Sequence, residues 1–354
     1  MLDTSIKPCK NALPVVEGIW SAGQFEIALN NPMLKILNDQ IVMARRSKWI
    51  EIESPDEPAV DVAKRALRAR LEAVWRYLPD AAVTANDNVE NVHQLRVSTR
   101  RATAALQLFE AMLPRKRSRW FRKRLKQIRK AAGEARDLDV LRHRLSAACA
   151  AEQLAGCVPL EDRLTAAREA AQPAIQAICQ ALGDKHFRRR MKKLVDKTRW
   201  RSPDAPPPTS LAAAQAGLQP LAAAFFTASE GDFENILALH EFRIAGKKLR
   251  YAMEVFAAAF APTFRRELYP LVEELQEKLG ALNDHATIRD RYLMWVDETQ
   301  DDAQRLVLSK LIASETAALQ TCIREFRGWW TPERAADLKA RFWQEVSTGE
   351  LRCA

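Results

Sequence analysis

The residues of this chain best suited to chemistry are two sets of basic side chains that recur at the same spacing, 147 positions apart. Residues 92–101 and 239–248 both read apolar-His-x-x-Arg-apolar-x-x-basic-basic. Arginine binds phosphate through a planar fork of donors and lysine as a point charge, and both stay ionised at neutral pH. The pattern therefore indicates one duplicated unit that holds an anionic ligand, with many charges, between two halves.

The spacing places these cations on one face of a helix, because an α-helix turns about 100° per residue. The basic arc of the first copy contains His93, Arg96 and Arg100, with Arg101 beside it, and the second copy has His240, Arg243, Lys247 and Arg250, with Lys248 beside them. Like charges at such spacings repel by a few tenths of a kcal/mol per pair. An anion bound between them would remove that repulsion.

Two simpler interpretations stand beside this one. A strip of cations is often only a solvated helix face, although its duplication with one polarity and no acid within the strip argues against that. Each histidine could bond a phosphate oxygen or could be a core histidine that bonds a backbone carbonyl.

The next helix of the first copy extends the basic surface. Five cations fall within roughly 100° of arc, and they are Arg119, Arg122, Lys126, Arg129 and Arg136. Residues 93–144 have a net charge of +12, whereas the matching residues 240–291 have only +1. We therefore predict a binding site that is supplied mainly by the first half.

The elements that must position these residues are helices. Only 11 of the 354 residues are glycine, and alanine, leucine, arginine and glutamate are abundant, which is typical of an all-α protein. We predict helices over about 61–78, ended by Pro79, and then over 89–113, 119–152, 159–182, 184–200, 211–228, 232–262, 264–296 and, as a last pair, 301–345. Residues 202–209 are rich in proline and predict a linker between two helical halves, 57–201 and 210–350.

Residues 1–56 lack a helical period and predict an irregular N-terminal arm, with short strands at 41–43 and 49–52. The six cysteines are scattered and contain no C-x-x-C pair, so we expect reduced thiols in a cytosolic protein. No run of about 18 apolar residues occurs, which predicts that no segment spans a membrane.

The sequence offers little that would support catalysis. It contains no phosphate-binding loop of the form G-x-x-x-x-G-K-[ST] and no H-E-x-x-H pair. Asp137 and Asp139 could hold Mg²⁺, with Asn283, Asp284 and His285 as the matching turn, but an ion pair of Asp137 with the adjoining Arg136 is the simpler reading. We therefore expect no enzymatic activity, no metal and no cofactor. A phosphohydrolase that depends on Asp137 or Asp284 is a minor alternative.

Four motifs in order resemble the CHAD family, the conserved histidine α-helical domain. They occupy residues 93–101, 133–141, 240–251 and 279–284, and the resemblance spans about 57–350. It implies two antiparallel four-helix bundles related by a pseudo-twofold axis, around a basic channel that binds inorganic polyphosphate. It also implies a set of ligands: His93, Arg96, Arg100, Arg101, His240, Arg243, Lys247, Lys248 and Arg250.

Members of that family often follow a triphosphatase domain whose mark is an E-x-E-x-K strand. Here Glu51 and Glu53 match its first positions, but Pro55 stands where the lysine should be. Residues 1–56 are therefore either a remnant of a preceding domain or a simple arm.

The resulting hypothesis is a non-enzymatic protein that binds inorganic polyphosphate, without a membrane, in the cytoplasm and in association with polyphosphate granules. The alternative is an RNA-binding protein that uses the basic blocks 115–130 and 185–201. In that case Trp120 and Trp200 would stack on bases, unless both only cover helix ends.

Overall fold

A computed structural model describes residues 48–83, 89–152 and 157–347, with no side chains for 151–152. These residues contain ten α-helices. The first half has α1 (Ala59–Val83), α2 (Val89–Leu108), α3 (Arg115–Glu152), α4 (Val158–Leu182) and α5 (Asp184–Asp196). The second half has α6 (Ser210–Ala228), α7 (Ile236–Phe256), α8 (Tyr269–Glu298), α9 (Asp302–Trp329) and α10 (Pro332–Ser347). The predicted all-α fold is confirmed.

Helices α1 to α4 pack side by side in order, and so do α6 to α9, whereas α5 packs against α1 and α3, and α10 packs against α6. Helix α2 packs against α7 and joins the halves. Two hydrophobic clusters form the core, one per half, and each takes residues from the other. The start of α1 and Phe109 belong to the second cluster, whereas Tyr292 and Trp295 of α8 belong to the first. Helices α2 and α7 carry the two copies of the repeated basic pattern, and we call them the signature helices. Because the cores interlock, these two helices are held in a defined position relative to each other.

The predicted end of the first helix at Pro79 is wrong, since α1 continues to Val83. Leu78, Ala81 and Ala82 are buried, so apolar packing carries the helix past the proline. The side chain of Gln172 also donates to the carbonyl oxygens of Ala81 and Ala82, at 2.9 and 3.1 Å. Those bonds satisfy the last turn, which has no further helical partners.

The predicted start of the second signature helix is also displaced. Asn235, and not Asp232, is the N-cap of α7, and its side chain accepts a hydrogen bond from the Leu237 amide. The helix ends at Phe256, where a 3₁₀ turn follows over Ala257–Ala259. A π-helical turn, Phe264–Leu268, then leads into α8.

The N-terminal strand predicted at 49–52 is wrong as well. These residues form no strand, although the amide of Ile50 donates to the carbonyl oxygen of Glu254 at 3.2 Å. The strand predicted at 41–43 lies outside the described residues.

The proline-rich linker is tied to the beginning of the first half. The amide of Ala59 donates to the Pro208 carbonyl oxygen, and the Ser210 hydroxyl donates to the carbonyl oxygens of Ser54 and Pro55. Thr209 caps α6 by accepting from the amide of Ala212. The segment thus follows a fixed path between the halves.

The expectation of reduced thiols is wrong for one pair, because Cys149 and Cys157 form a disulfide. The end of α3 and the start of α4 bring their Cα atoms to 6.2 Å, which lies within the range of such bonds. Among the described cysteines, Cys179 and Cys322 are free. A spacing of eight residues had no recognisable disulfide pattern, so only the approach of the two Cα atoms reveals this pair.

Two described helices, α6 and α9, are long and apolar enough to cross a membrane by length and composition alone. Core helices of soluble proteins pass the same test. Here α6 buries Phe225 and Phe226, and α9 buries Leu311 and Phe326, in the core of the second half and its junction with the first. Their composition is therefore weak evidence for a membrane span.

Candidate anion-binding site

The site begins where α2 of the first half packs against α7 of the second. Three cations meet there: Arg100 from α2, and Arg243 and Lys247 from α7. All three are half-buried, and none makes a hydrogen bond or ion pair with any described residue. We call these three residues the central cluster. Buried charges are normally paired, but Asp284 acts on Arg243 and Lys247 without forming an ion pair with either, so the cluster keeps an excess of positive charge.

The pKa values of Lys247 and Arg243 are lowered by burial and by the neighbouring positive charges. Burial, together with the charges of Arg243 and Arg100, lowers the pKa of Lys247 to about 7, against the opposing effect of Asp284. Burial also lowers the pKa of Arg243, again opposed by Asp284. A bound anion would reverse these shifts, because it favours the charged form of each group.

Arg96 and His93 lie beside the central cluster, but unlike its members they interact closely with residues of α3. The Arg96 guanidinium donates to the carbonyl oxygen of Gly133 at 2.9 Å and to Asp137 at 2.6 Å, so it fastens α2 to α3. Burial and the charge of Arg136 lower the pKa of His93. His93 therefore reaches the site as a neutral ring that could donate to or accept from a ligand.

The equivalent residues of the second half have different hydrogen-bond partners. The Nδ1 atom of His240 lies 3.1 Å from the amide oxygen of Asn283, which stands where the first half has Arg136. Asp284 corresponds to Asp137, but it forms no hydrogen bond with Arg243. Lys248 is exposed, and Arg250 lies 3.6 Å from Glu273.

Arg101, a predicted ligand, is held by a carboxylate that the sequence analysis did not predict. Its Nε and Nη2 atoms donate to Glu254 at 2.6 and 2.9 Å, and the Tyr269 hydroxyl donates to the same carboxylate at 3.0 Å. Arg70 lies 3.9 Å away. Glu254 is fully buried, which by itself raises its pKa, but Arg101 and Arg70 outweigh burial and hold that pKa below its usual range.

Glu254 thus acts as a built-in anion for Arg101 and Arg70. It joins α7 to α1 and α2, so it connects the halves. The only signal for it in the sequence is a single acid within the apolar run 251–257.

The cations of α3 form a ridge that leads away from the cluster. We call Arg119, Arg122, Lys126, Arg129 and Arg136 the α3 ridge. Arg122 donates to the Leu106 carbonyl oxygen and to Glu110, whereas Lys126, Arg129 and Arg136 make no hydrogen bond or ion pair to the described part of the chain. The ridge is therefore mostly available to a ligand.

A cavity of about 750 Å³ opens next to Arg136, and its wall includes Asp284 of the second half. Arg142, His143 and Arg144, which the sequence analysis did not predict as site residues, also line it. Asp139 and Glu161 line it as well, so the wall of this cavity carries charges of both signs.

The carboxylates considered for Mg²⁺ do not form a metal site. Asp137 pairs with Arg96, and Asp139 is buried against Arg168 at 2.7 Å. Burial raises the pKa of Asp139 despite that arginine. Within residues 48–83, 89–152 and 157–347, no group of three or more His, Cys, Asp or Glu side chains is placed to hold a metal.

The two tryptophans of the nucleic-acid alternative are both engaged. Arg190 lies over the Trp120 ring at 4.6 Å and Arg124 at 5.6 Å from the ring centroid. The indole nitrogen of Trp200 donates to the Ala205 carbonyl oxygen at 2.7 Å. Both rings are half-buried, so stacking on a base would require them to exchange existing contacts.

This fold and these motifs define a class. Residues 57–293 match the CHAD domain family, and the chain therefore belongs to that family. The resemblance inferred from the four motifs is confirmed.

The comparisons also identify relatives with no described activity. Uncharacterized proteins of Mycobacterium tuberculosis, from the CDC 1551 / Oshkosh and H37Rv strains, are each 28% identical over 252 residues. The alignment covers 69% of this chain and 47% of each relative, so the chain matches about half the length of those proteins.

Solved structures agree on the fold. The crystal structure of the CHAD domain from the plant Ricinus communis aligns with a TM-score of 0.58 at 21% identity, over 78% of this chain and 96% of that one. PptA from Streptomyces chartreusis aligns with a TM-score of 0.57 at 19% identity, over 77% of this chain and 99% of that one. At these identities the likeness concerns the fold alone.

Proposed function

We propose that this protein binds inorganic polyphosphate between α2 and α7, without chemical conversion of the ligand. The observation that carries the proposal is the central cluster, in which Arg100, Arg243 and Lys247 are half-buried without an anionic partner among the described residues. Membership of the CHAD family supports the same ligand.

A linear polyanion suits this arrangement better than a single phosphate. The central cluster, Arg96 and the α3 ridge present charges at one-turn intervals of about 5–6 Å, which matches a ligand with repeating negative charge. Affinity should rise with chain length and fall steeply with salt, because each neutralised phosphate releases counterions.

The proposed site divides the predicted ligands by role. Arg100, Arg243, Lys247, Lys126, Arg129 and Arg136 would contact phosphates directly. Arg96 and Arg101 already pair with Asp137 and Glu254, so they would hold the basic face of α2 in position. We propose a cytoplasmic location, although the Cys149–Cys157 disulfide is unusual for that compartment.

The proposal is tested by calorimetric titration with long-chain polyphosphate, tripolyphosphate and single-stranded RNA at two salt concentrations. The test variant is Arg100→Gln/Arg243→Gln. The matched control is Arg291→Gln/Lys310→Gln, which removes two exposed cations of α8 and α9. We expect tight binding of long chains to wild type and control, and at least a hundredfold weaker binding to the test variant.

The opposite pattern would move the ligand elsewhere. If RNA binds as tightly as polyphosphate and neither variant affects it, the central cluster is not the site. Release of orthophosphate from the polyphosphate during the titration would instead indicate that the protein is a hydrolase.

A further inference from the structure

A second strongly basic surface lies away from the central cluster, on α5 and the first part of α3. Residues 115–133 contain ten cations and no acid, and α5 contains six cations in thirteen residues. Among the described residues, only Arg122 with Glu110 and Arg188 with Asp184 form ion pairs within this surface.

The apolar face of α5 is buried and cannot serve a partner. Phe187 stacks against Trp75 and meets Phe121 edge-on, and Met191 and Leu194 are also buried. The opposite face must therefore point outward. Its centre is Lys185, Arg189 and Lys193, spaced at i, i+4 and i+8, and we call these three residues the outer stripe.

The outer stripe has the same electrostatic character as the central cluster, but it is fully accessible. All three side chains are exposed, and none bonds to a residue within the described part of the chain. Like charges one turn apart destabilise the helix that carries them, and α5 tolerates this because its apolar face is anchored in the core.

Recognition at this surface must rely on phosphate rather than on bases. Trp120 is a half-buried ring that contacts His186 of α5, and the guanidinium groups of Arg190 and Arg124 already lie over it. Arg190 is held further by its hydrogen bond to His186, at 2.6 Å. A ligand would therefore meet a surface of cations without an open ring on which to stack.

The α3 ridge connects this surface to the central cluster. Arg136 lies close enough to His93 to lower the pKa of that ring, and from there the ridge runs back to Arg119. At 1.5 Å per residue, these 17 positions span about 26 Å. The ridge ends at Arg119, one residue before Trp120, which contacts His186 of α5 from a position about 100° further round α3.

We propose that the outer stripe is a second binding segment, which receives the part of a long polyphosphate chain that extends beyond the central cluster along the α3 ridge. This inference rests on the proposed function. A short chain would engage only the central cluster, whereas a long chain would engage both segments and gain affinity from their linkage.

The test compares two triple variants that lose the same charge. Lys185→Gln/Arg189→Gln/Lys193→Gln removes the outer stripe, and Arg266→Gln/Arg291→Gln/Lys310→Gln removes three exposed cations of the second half. Each is titrated with tripolyphosphate, long-chain polyphosphate and single-stranded RNA at several salt concentrations.

We expect the outer-stripe variant to bind tripolyphosphate as the wild type does, within twofold. Its affinity for the long chain should fall at least tenfold. The slope of log affinity against log salt should become shallower by about 2, since each lost phosphate contact removes about 0.7–0.9. The control should keep the wild-type slope.

Equal long-chain affinity in the two triple variants would overturn the inference and leave the proposed function intact. A loss confined to RNA would also overturn it, because the outer stripe would then be a nucleic-acid site. If wild type binds no polyphosphate of any length, the proposed function itself fails.

Discussion

The two copies of the signature unit share their sequence pattern but differ in how their cations are used. In the first copy, Arg96 is fastened to Asp137 and Gly133. In the second, Arg243 has no such bond to Asp284, and Lys247 is equally free of described partners. The first half carries more charge, yet two of the three residues of the central cluster come from the second. Net charge alone therefore does not identify the cations that are available to a ligand.

A second difference concerns the junction of the halves. Glu254 of α7 collects Arg101, Arg70 and Tyr269 in the buried interior, whereas the matching position of α2 is Gln107, which is exposed. One copy thus carries a buried anchor, and the other presents a surface residue at the same place.

The largest expected effect follows from removing that anchor. Glu254→Gln should lower the free energy of unfolding by about 3–5 kcal/mol, because it leaves buried arginines without their carboxylate. Urea denaturation measures this, and Gln107→Ala should change stability by less than about 0.5 kcal/mol. Similar small effects of both changes would show that Glu254 does not anchor the halves.

The same carboxylate predicts a response to acid. Because the folded-state pKa of Glu254 lies below its usual value, its stabilising contribution is present at neutral pH. It is lost as the pH falls below about 4 and passes through the folded pKa. The unfolding free energy of Glu254→Gln should therefore decline less over that acidic range than that of wild type.

The disulfide is a third difference between the halves, because Val296 and Gln304 stand 147 positions after Cys149 and Cys157. Cys149→Ser/Cys157→Ser should lower the free energy of unfolding by about 2.5 kcal/mol, from the greater freedom of the unfolded chain. Thermal melts of the variant and of wild type with reductant should agree. No change in either would mean that the bond does not form in solution.

Arg96 and Arg243 occupy equivalent positions, and their variants test whether one positions the site while the other binds the ligand. Arg243→Gln should weaken long-chain polyphosphate binding by about 2 kcal/mol, more than tenfold, without loss of stability. Arg96→Gln should also lower stability by about 0.5–1 kcal/mol, since its ion pair is partly exposed. Calorimetry and urea denaturation on both variants give the comparison, which fails if Arg243→Gln is the less stable of the two.

The last prediction is a dependence of affinity on pH that only the second copy should cause. Lys247 stands where the first copy has Arg100, and its pKa in the empty site is about 7. Below that pH the lysine is charged with or without ligand. Above it, binding must take up a proton, so affinity should fall by up to tenfold per pH unit until the higher pKa of the bound state is reached.

Lys247→Arg is the matched control for this prediction, because arginine keeps its charge over the whole range. The affinity of Lys247→Arg for polyphosphate should stay constant between pH 7 and 9. Calorimetry in buffers with different ionisation enthalpies should show no proton uptake by this side chain on binding. The prediction is wrong if wild type and Lys247→Arg have the same pH profile.

The sequence predicted the helical class, the duplication and the basic strip, because periodicity and spacing act within a single helix. It could not predict the end of α1, since tertiary packing of Leu78 and Ala81 overrides Pro79. Nor could it predict the pairing of Arg101 with Glu254, which are 153 residues apart. Arg96 and Arg243 occupy equivalent positions in the sequence pattern. Only their contacts in the folded protein distinguish them.

The proposed function requires a polyanion to occupy the space beside Lys247. Reductive methylation of lysines, followed by mass spectrometry, measures this directly in the wild-type protein with and without long-chain polyphosphate. We predict that Lys247 reacts in the empty protein and is protected by the ligand, while Lys310 on α9 is unaffected. Equal reactivity of Lys247 under both conditions, at a saturating ligand concentration, would contradict the account.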